Sequence, residues 1–224
     1  MRAERSARRT GGVKNTMKKH VLNSTTGWVA ALAIAAWAGP AFAQRPGGGQ
    51  GPGPGGPPRP PPLLMTTTAF EDGGVIPDKY TQAAGPMAPS PELKWSQVPP
   101  GTQSFVLLMH DPEPVLNKSP KMDITHWLVW NIPATATGLP ENFPQGERPD
   151  GTRQVSLRAN GYMGPGAPPG PYHHYTFELY ALDTKLDVPQ GEPGAAAMTR
   201  QAVFNAMDGH VLGKAELVAR FHRQ

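Results

Sequence analysis

His126-Trp127-Leu128-Val129-Trp130-Asn131-Ile132-Pro133 reads as a β-strand that opens on an imidazole and closes at a proline. Alternation places His126, Leu128 and Trp130 on one face, and Trp127, Val129 and Asn131 on the other. Working outward, residues 63–68, 105–109 and 175–182 form further apolar runs, with a weaker one at 155–157, separated by Pro, Gly, Asp and Asn. The segments 86–91 and 165–171 are loops, because proline cannot donate to a strand ladder. This spacing predicts a mainly β domain, an antiparallel sandwich of two sheets in Greek-key style with long connections. Near the end, residues 199–207 predict a helix with Ala202, Val203 and Ala206 on its buried face, Thr199 as its cap and Gly209 as its terminator. Beyond it Val211, Ala215, Leu217, Ala219 and Phe221 alternate with Lys214, Glu216 and Arg220, the pattern of a half-buried final strand.

The sequence upstream is of a different kind. Residues 44–62 are almost entirely Gly and Pro with two arginines, a composition that cannot bury a core and predicts a tether. Before them, Met17 is followed by Lys18-Lys19-His20, an apolar stretch from Trp28 to Ala38, and Ala41-Phe42-Ala43. These are the three parts of a secretory signal peptide, and the apolar part is shorter than the roughly 20 residues a membrane span needs. The expectation is a start at Met17, cleavage after Ala43, and a periplasmic or secreted protein whose one folded domain covers residues 63–224. Residues 1–43 hold seven Lys and Arg against one acid, so the formal charge of +4 becomes a small negative surplus from Gln44 onward. A nucleic-acid partner, which needs a basic face, is therefore not expected. Cysteine is absent, which excludes disulfides and thiolate catalysis and leaves His, Asp and Glu as the metal-ligating types.

Three stretches carry the side chains from which a polar site is built. In Asp111-Pro112-Glu113-Pro114 the prolines fix the backbone and hold the carboxylates in place; Asp111 suits either a site or a turn cap, and Glu113 suits a structural role better. His126 opens its strand. His173-His174-Tyr175 follows the Gly/Pro-rich loop 161–170, and in a strand His173 and Tyr175 share a face while His174 points away. Two imidazole N–H groups, a phenol and loop amides are donors for an oxyanion. Asp111 repels a dianion unless it orients a histidine or receives an ammonium group, so a zwitterion satisfies both signs.

Taken together, these stretches resemble the phosphatidylethanolamine-binding protein family, in its bacterial Raf-kinase-inhibitor-like branch. A D-P-D-x-P turn is matched by Asp111-Pro112-Glu113-Pro114, one residue shorter and with Glu for the second Asp; H-W-x-V-x-N-I-P is matched by residues 126–133. G-Y-x-G-P-x-P-P-G and H-R-Y are matched by residues 161–170 and by His173-His174-Tyr175, where His174 replaces Arg. Residues 90–95 and 209–212 also resemble family segments. The resemblance implies a β-sandwich with a small pocket for phosphate or phosphate-ester headgroups. Asp111, His126, His173 and Tyr175 would line it, with Pro114 and Gly164 beside them. The expectation is a non-catalytic binding module without a cofactor; the family also resembles regulators that bind kinases or proteases, so any protein partner is expected in the periplasm or outside the cell, and the oligomeric state is left open, a dimer included. The alternative is a hydrolase or metal-dependent enzyme using Asp111, His126 and His173; no nucleophile elbow, H-E-x-x-H or P-loop accompanies it.

Overall fold

The longest apolar runs pair with one another at the centre of a six-stranded sheet. The computed structural model describes residues 61–116 and 123–224; the expected signal peptide, and the expected tether up to residue 60, lie outside the described residues. In chain order the elements are β1 (Leu64–Thr66), β2 (Gly74–Val75), β3 (Leu93–Ser96), β4 (Ser104–Asp111), the short α1 (Glu113–Leu116), β5 (Ile124–Pro133), β6 (Gly138–Leu139), β7 (Arg153–Val155), β8 (His173–Leu182), α2 (Ala196–Met207) and β9 (Val211–Phe221). The large sheet runs β2-β9-β8-β4-β5-β7 and a small sheet runs β1-β3-β6. Neighbours are antiparallel except for the β2–β9 pair. This is the expected mainly β architecture of two sheets.

Both faces of the large sheet are covered, which explains the unbroken apolar runs of β4 and β5. Phe105, Leu107, Met109, Trp127, Val129, Phe177 and Leu179 pack with Met65, Leu93, Trp95 and Leu139 of the small sheet. On the opposite face, Val106, Leu108, Leu128 and Trp130 pack with Leu186, Val188 and residues Ala196, Val203 and Met207 of α2. Each fully buried Leu or Phe of this kind contributes roughly 1.5–3 kcal/mol. The two buried indoles are satisfied as well, Trp127 Nε1 donating to Gln154 Oε1 at 2.9 Å and Trp130 Nε1 to the Val188 carbonyl at 3.0 Å. Arg200 of α2 pairs with Asp123, which also holds His110, so a charged chain ties the helix to the ends of β4 and β5.

Four expectations need correction. The helix starts at Ala196, and Thr199 does not cap it: its Oγ1 donates back to the Ala195 carbonyl at 3.3 Å, the habit of a hydroxyl inside a first turn. Its buried face is Ala196, Thr199, Val203 and Met207, while Ala202 is exposed; Gly209, at φ +79°, turns the chain as expected. Val211 is exposed at the start of β9. Strict alternation along β5 also fails, at two places. Met109 pairs with Trp127 and His110 with Thr125, which leaves His126 as an extra residue in a bulge. Phe105 pairs with Ile132 and Leu107 with Val129, a second bulge in which Asn131 takes φ +58°. Asn131 thereby faces Leu186, donating to its carbonyl at 2.9 Å and accepting from its N–H at 2.8 Å.

Candidate functional site

The end of β4, the start of β5 and the start of β8 meet at one end of the large sheet: Asp111 pairs with Ile124, and His110 lies between Thr125 and Thr176. Regular alternation would send His126 to the face of Leu128, beneath α2. The bulge instead turns it to the side of Tyr175, whose ring it meets edge-on at 5.0 Å and 88°. His126 is buried, and its Nδ1 donates to the Met163 carbonyl at 2.8 Å. Burial lowers its pKa to about 4, against the upward pull of the Met163 and Gly164 backbone. The ring is therefore neutral, with its one proton on Nδ1, and Nε2 is the atom left for a ligand. His126 is an acceptor here, not the donor expected from sequence.

Tyr175 is reassigned in part as well. Its hydroxyl oxygen accepts from Gly166 N at 3.2 Å and Ala167 N at 3.1 Å. Those two loop amides are thus committed to the tyrosine and are not offered to an anion. Burial, then the charge of Asp111, raises the phenol well above its ordinary pKa, so its O–H remains a donor.

Asp111 makes the turn-cap contact and a second contact with one of the histidines considered for the site. Oδ1 accepts from Glu113 N at 3.0 Å, the turn cap, and Oδ2 meets His173 Nδ1 at 2.8 Å, the site contact. Burial first, and the neighbouring Glu113 carboxyl second, raise its pKa to about 6, while His173 pulls the other way. Burial disfavours the Glu113 charge too, but hydrogen bonds from Asp111 and His174 outweigh it and lower that pKa. His174 points away from His173, as alternation requires, and its Nδ1 meets Glu113 Oε1 at 2.6 Å.

A cavity of about 370 Å³ opens among these groups, bordered by Asp111, Pro114, His126, His173 and Tyr175. Gly164 stands behind its wall. The Gly164 carbonyl accepts from Gln82 Nε2 at 2.9 Å, and a Cβ there would lie 2.7 Å from the Tyr80 carbonyl oxygen, so glycine allows this loop to pack on residues 78–84. Sequence reasoning missed Gln82, Arg158 and Arg223, which also border the cavity. Both arginines are exposed, and Arg223 N donates to the Ala167 carbonyl at 3.1 Å. Arg223 lies far along the chain from the three motifs, whereas Arg158 stands just before the 161–170 loop, and the fold brings both to the cavity. The metal set considered from sequence is not the one assembled: Glu113, rather than His126, groups with Asp111 and His173.

The profile described as phosphatidylethanolamine-binding protein matches residues 66–222, which include the large sheet, the small sheet apart from Leu64 and Met65, and nearly all of this cavity. The chain belongs to the phosphatidylethanolamine-binding protein family. A UPF0098 protein of Methanothermobacter thermautotrophicus is 43% identical over 164 residues, 72% of this chain and 99% of that one. YbhB of Escherichia coli, also a UPF0098 protein, is 36% identical over 137 residues, 59% of this chain and 80% of its own length. Among solved structures, the family homologue CT736 of Chlamydia trachomatis superposes with a TM-score of 0.59 at 30% identity, covering 73% of this chain and 99% of that one. YbcL of E. coli, described as a new member of the mammalian PEBP family, gives 0.56 at 28%, covering 72% and 99%. Within the phosphatidylethanolamine-binding family pattern, this chain's Glu113 and His174 are bonded to each other, so the two departures noted in the motifs form one contact.

Proposed function

We propose that this family member is an exported, non-catalytic binding protein whose cavity takes a small phosphate-bearing ligand, zwitterions of the phosphoethanolamine type above all. The observation that carries this reading is the mixture of polar atoms around one cavity. The Tyr175 hydroxyl and the guanidinium groups of Arg158 and Arg223 suit phosphoryl oxygens, while His126 Nε2 and the Asp111 carboxylate accept from an ammonium or a P–O–H group. The Lys18-Lys19-His20 to Ala43 segment supports export, which puts any protein partner in the periplasm or outside the cell.

The test is a calorimetric titration of the full chain with phosphoethanolamine and with inorganic phosphate. The expected result is tighter binding of the zwitterion, weakened at least tenfold by His173→Ala. Binding of neither compound, or an affinity indifferent to that substitution, would refute the proposal. Export is checked by N-terminal sequencing of the protein from the periplasm or medium, expected to begin at Gln44; a chain still carrying Met17 would contradict it.

One observation favours hydrolysis as a second reading, the Asp111–His173 pair at 2.8 Å. Among the described residues no Ser or Thr borders the cavity, and in this reading the pair would activate a water. Phosphate and carboxylate ester substrates are expected to remain intact; turnover that His173→Ala abolishes would favour the enzyme.

A further inference from the structure

At the mouth of the cavity, two carboxyl groups and an imidazole converge, and among the described residues no cationic side chain holds them. One oxygen of Asp111, one of Glu113 and one ring nitrogen of His173 lie within 4.8 Å of one another. These are not surface groups, for the side chains are only 4%, 19% and 16% exposed. Among the described residues, His173 and His174 are the hydrogen-bond partners of the two carboxylates, and no Lys or Arg joins them. Adjacent buried carboxylates disfavour each other's ionisation unless a cation comes between them.

A second observation points the same way. Glu113 Oε2 is buried and, among the described residues, no N–H reaches it, so that only a protonated Asp111 carboxyl could donate to this group there, whereas Oε1 is engaged by His174 at 2.6 Å. A buried carboxylate oxygen without a donor is costly and rare. The backbone that carries the group is also held in place. Pro112 and Pro114 restrict the backbone on either side of Glu113, and Asp111 Oδ1 grips its N–H.

We propose that Asp111, Glu113 and His173 form a binding site for a first-row divalent cation of the zinc class, with His174 orienting Glu113 through Oε1. Two carboxylate oxygens and an imidazole nitrogen suit zinc or manganese; calcium and magnesium favour oxygen alone. Ligand distances of about 2.0–2.2 Å require the three side chains to draw together round the ion, which takes the place of the proton between Asp111 and His173. Three protein ligands leave a coordination position open. Since Asp111 and His173 both border the cavity, that position faces it and meets an incoming anion. The carboxylates beside a phosphate pocket then attract the ligand through the ion they hold.

The untagged full chain, stripped with chelator, is titrated with zinc chloride by calorimetry. One equivalent is expected to bind, the His173 ring resonances shifting and those of His126 staying in place. Glu113→Gln and His173→Ala are each expected to weaken zinc at least tenfold, as loss of a ligand does. Circular dichroism verifies that each variant is folded, and the near-isosteric Gln keeps the shape of α1. A wild type that binds no zinc overturns the site. So does an affinity unchanged in the folded Glu113→Gln chain, the result expected if exposed histidines such as His210 captured the ion. Phosphate titrated with and without zinc separates this inference from the function proposed above. At least a tenfold gain supports the open position; phosphate bound equally in both states removes that position and leaves the phosphate reading intact. Zinc bound by a chain that takes no phosphate leaves the cation site standing and refutes the phosphate pocket.

Discussion

Replacing His126 with Asn separates the buried imidazole's charge from its hydrogen bond. The Asn amide keeps an N–H for the Met163 carbonyl but has no proton to gain in the accessible range. In the folded wild type His126 titrates at about 4, against 6.5 for an unperturbed ring. Between those values the unfolded chain binds a proton that the folded chain refuses. The ring's contribution to stability is therefore complete above pH 6.5 and is lost as the pH falls toward 4. At 1.36 kcal/mol per pH unit, wild type should lose about 2.7 kcal/mol relative to His126→Asn between pH 7.5 and pH 4.5. The comparison must be a difference, because Asp111 acts in the opposite direction. With its folded pKa raised to about 6 from 3.8, the folded chain holds a proton there that the unfolded chain releases, and stability rises as the pH falls. The two contributions nearly cancel in the wild-type curve. The assay is urea unfolding of both proteins from pH 7.5 to 4.5, extrapolated linearly to water. A difference constant to within about 0.5 kcal/mol, or one of opposite slope, would refute a buried neutral imidazole at position 126.

Two further substitutions test the architecture around the site. Tyr175→Phe removes the oxygen that accepts from Gly166 and Ala167; it should cost about 2 kcal/mol and speed hydrogen exchange at those two amides, while unchanged exchange would contradict the anchoring role. Asn131→Ala leaves the Leu186 N–H and carbonyl unpaired and puts a Cβ-bearing residue without a compensating side-chain bond at φ +58°; a loss of about 3 kcal/mol or more is expected in urea unfolding, and a loss below about 1 kcal/mol would contradict the bulge account.

Much of the sheet was legible because β4, β5, β8 and β9 have long apolar or alternating runs, and such runs report burial directly. The edges were less so. Leu63 stands just before β1 and Val155 ends β7, and the extent of both strands is set by partners: β1 by its register on β3, and β7 by its register on β5. Asp111, His126, His173 and Tyr175 could be singled out by position alone, since each sits at or near the end of a run. Their chemistry could not. That His126 accepts rather than donates depends on the Met163 carbonyl, 37 residues along the chain, and that the loop amides are spent depends on the Tyr175 hydroxyl. Period-two reasoning also has no term for an inserted residue, which is why it placed His126 with Leu128 and Trp130. Arg158 and Arg223 carry no local signal at all, as any exposed arginine reads alike until the fold assigns it a neighbour.

The bulge at His126 has a consequence for how the molecule tolerates change in length. Because His126 has no partner on β4, an in-frame deletion of this single codon would bring Thr125 next to Trp127 and leave both of their existing pairings, with His110 and Met109, in place. The ladder would become more regular while the cavity lost its buried imidazole. The cost would fall on the 161–170 loop, which loses the two bonds that Met163 makes to His126, so on the reading proposed above a shortened chain keeps its sheet register and gives up its pocket, a change that substitution scans, which preserve length, do not sample.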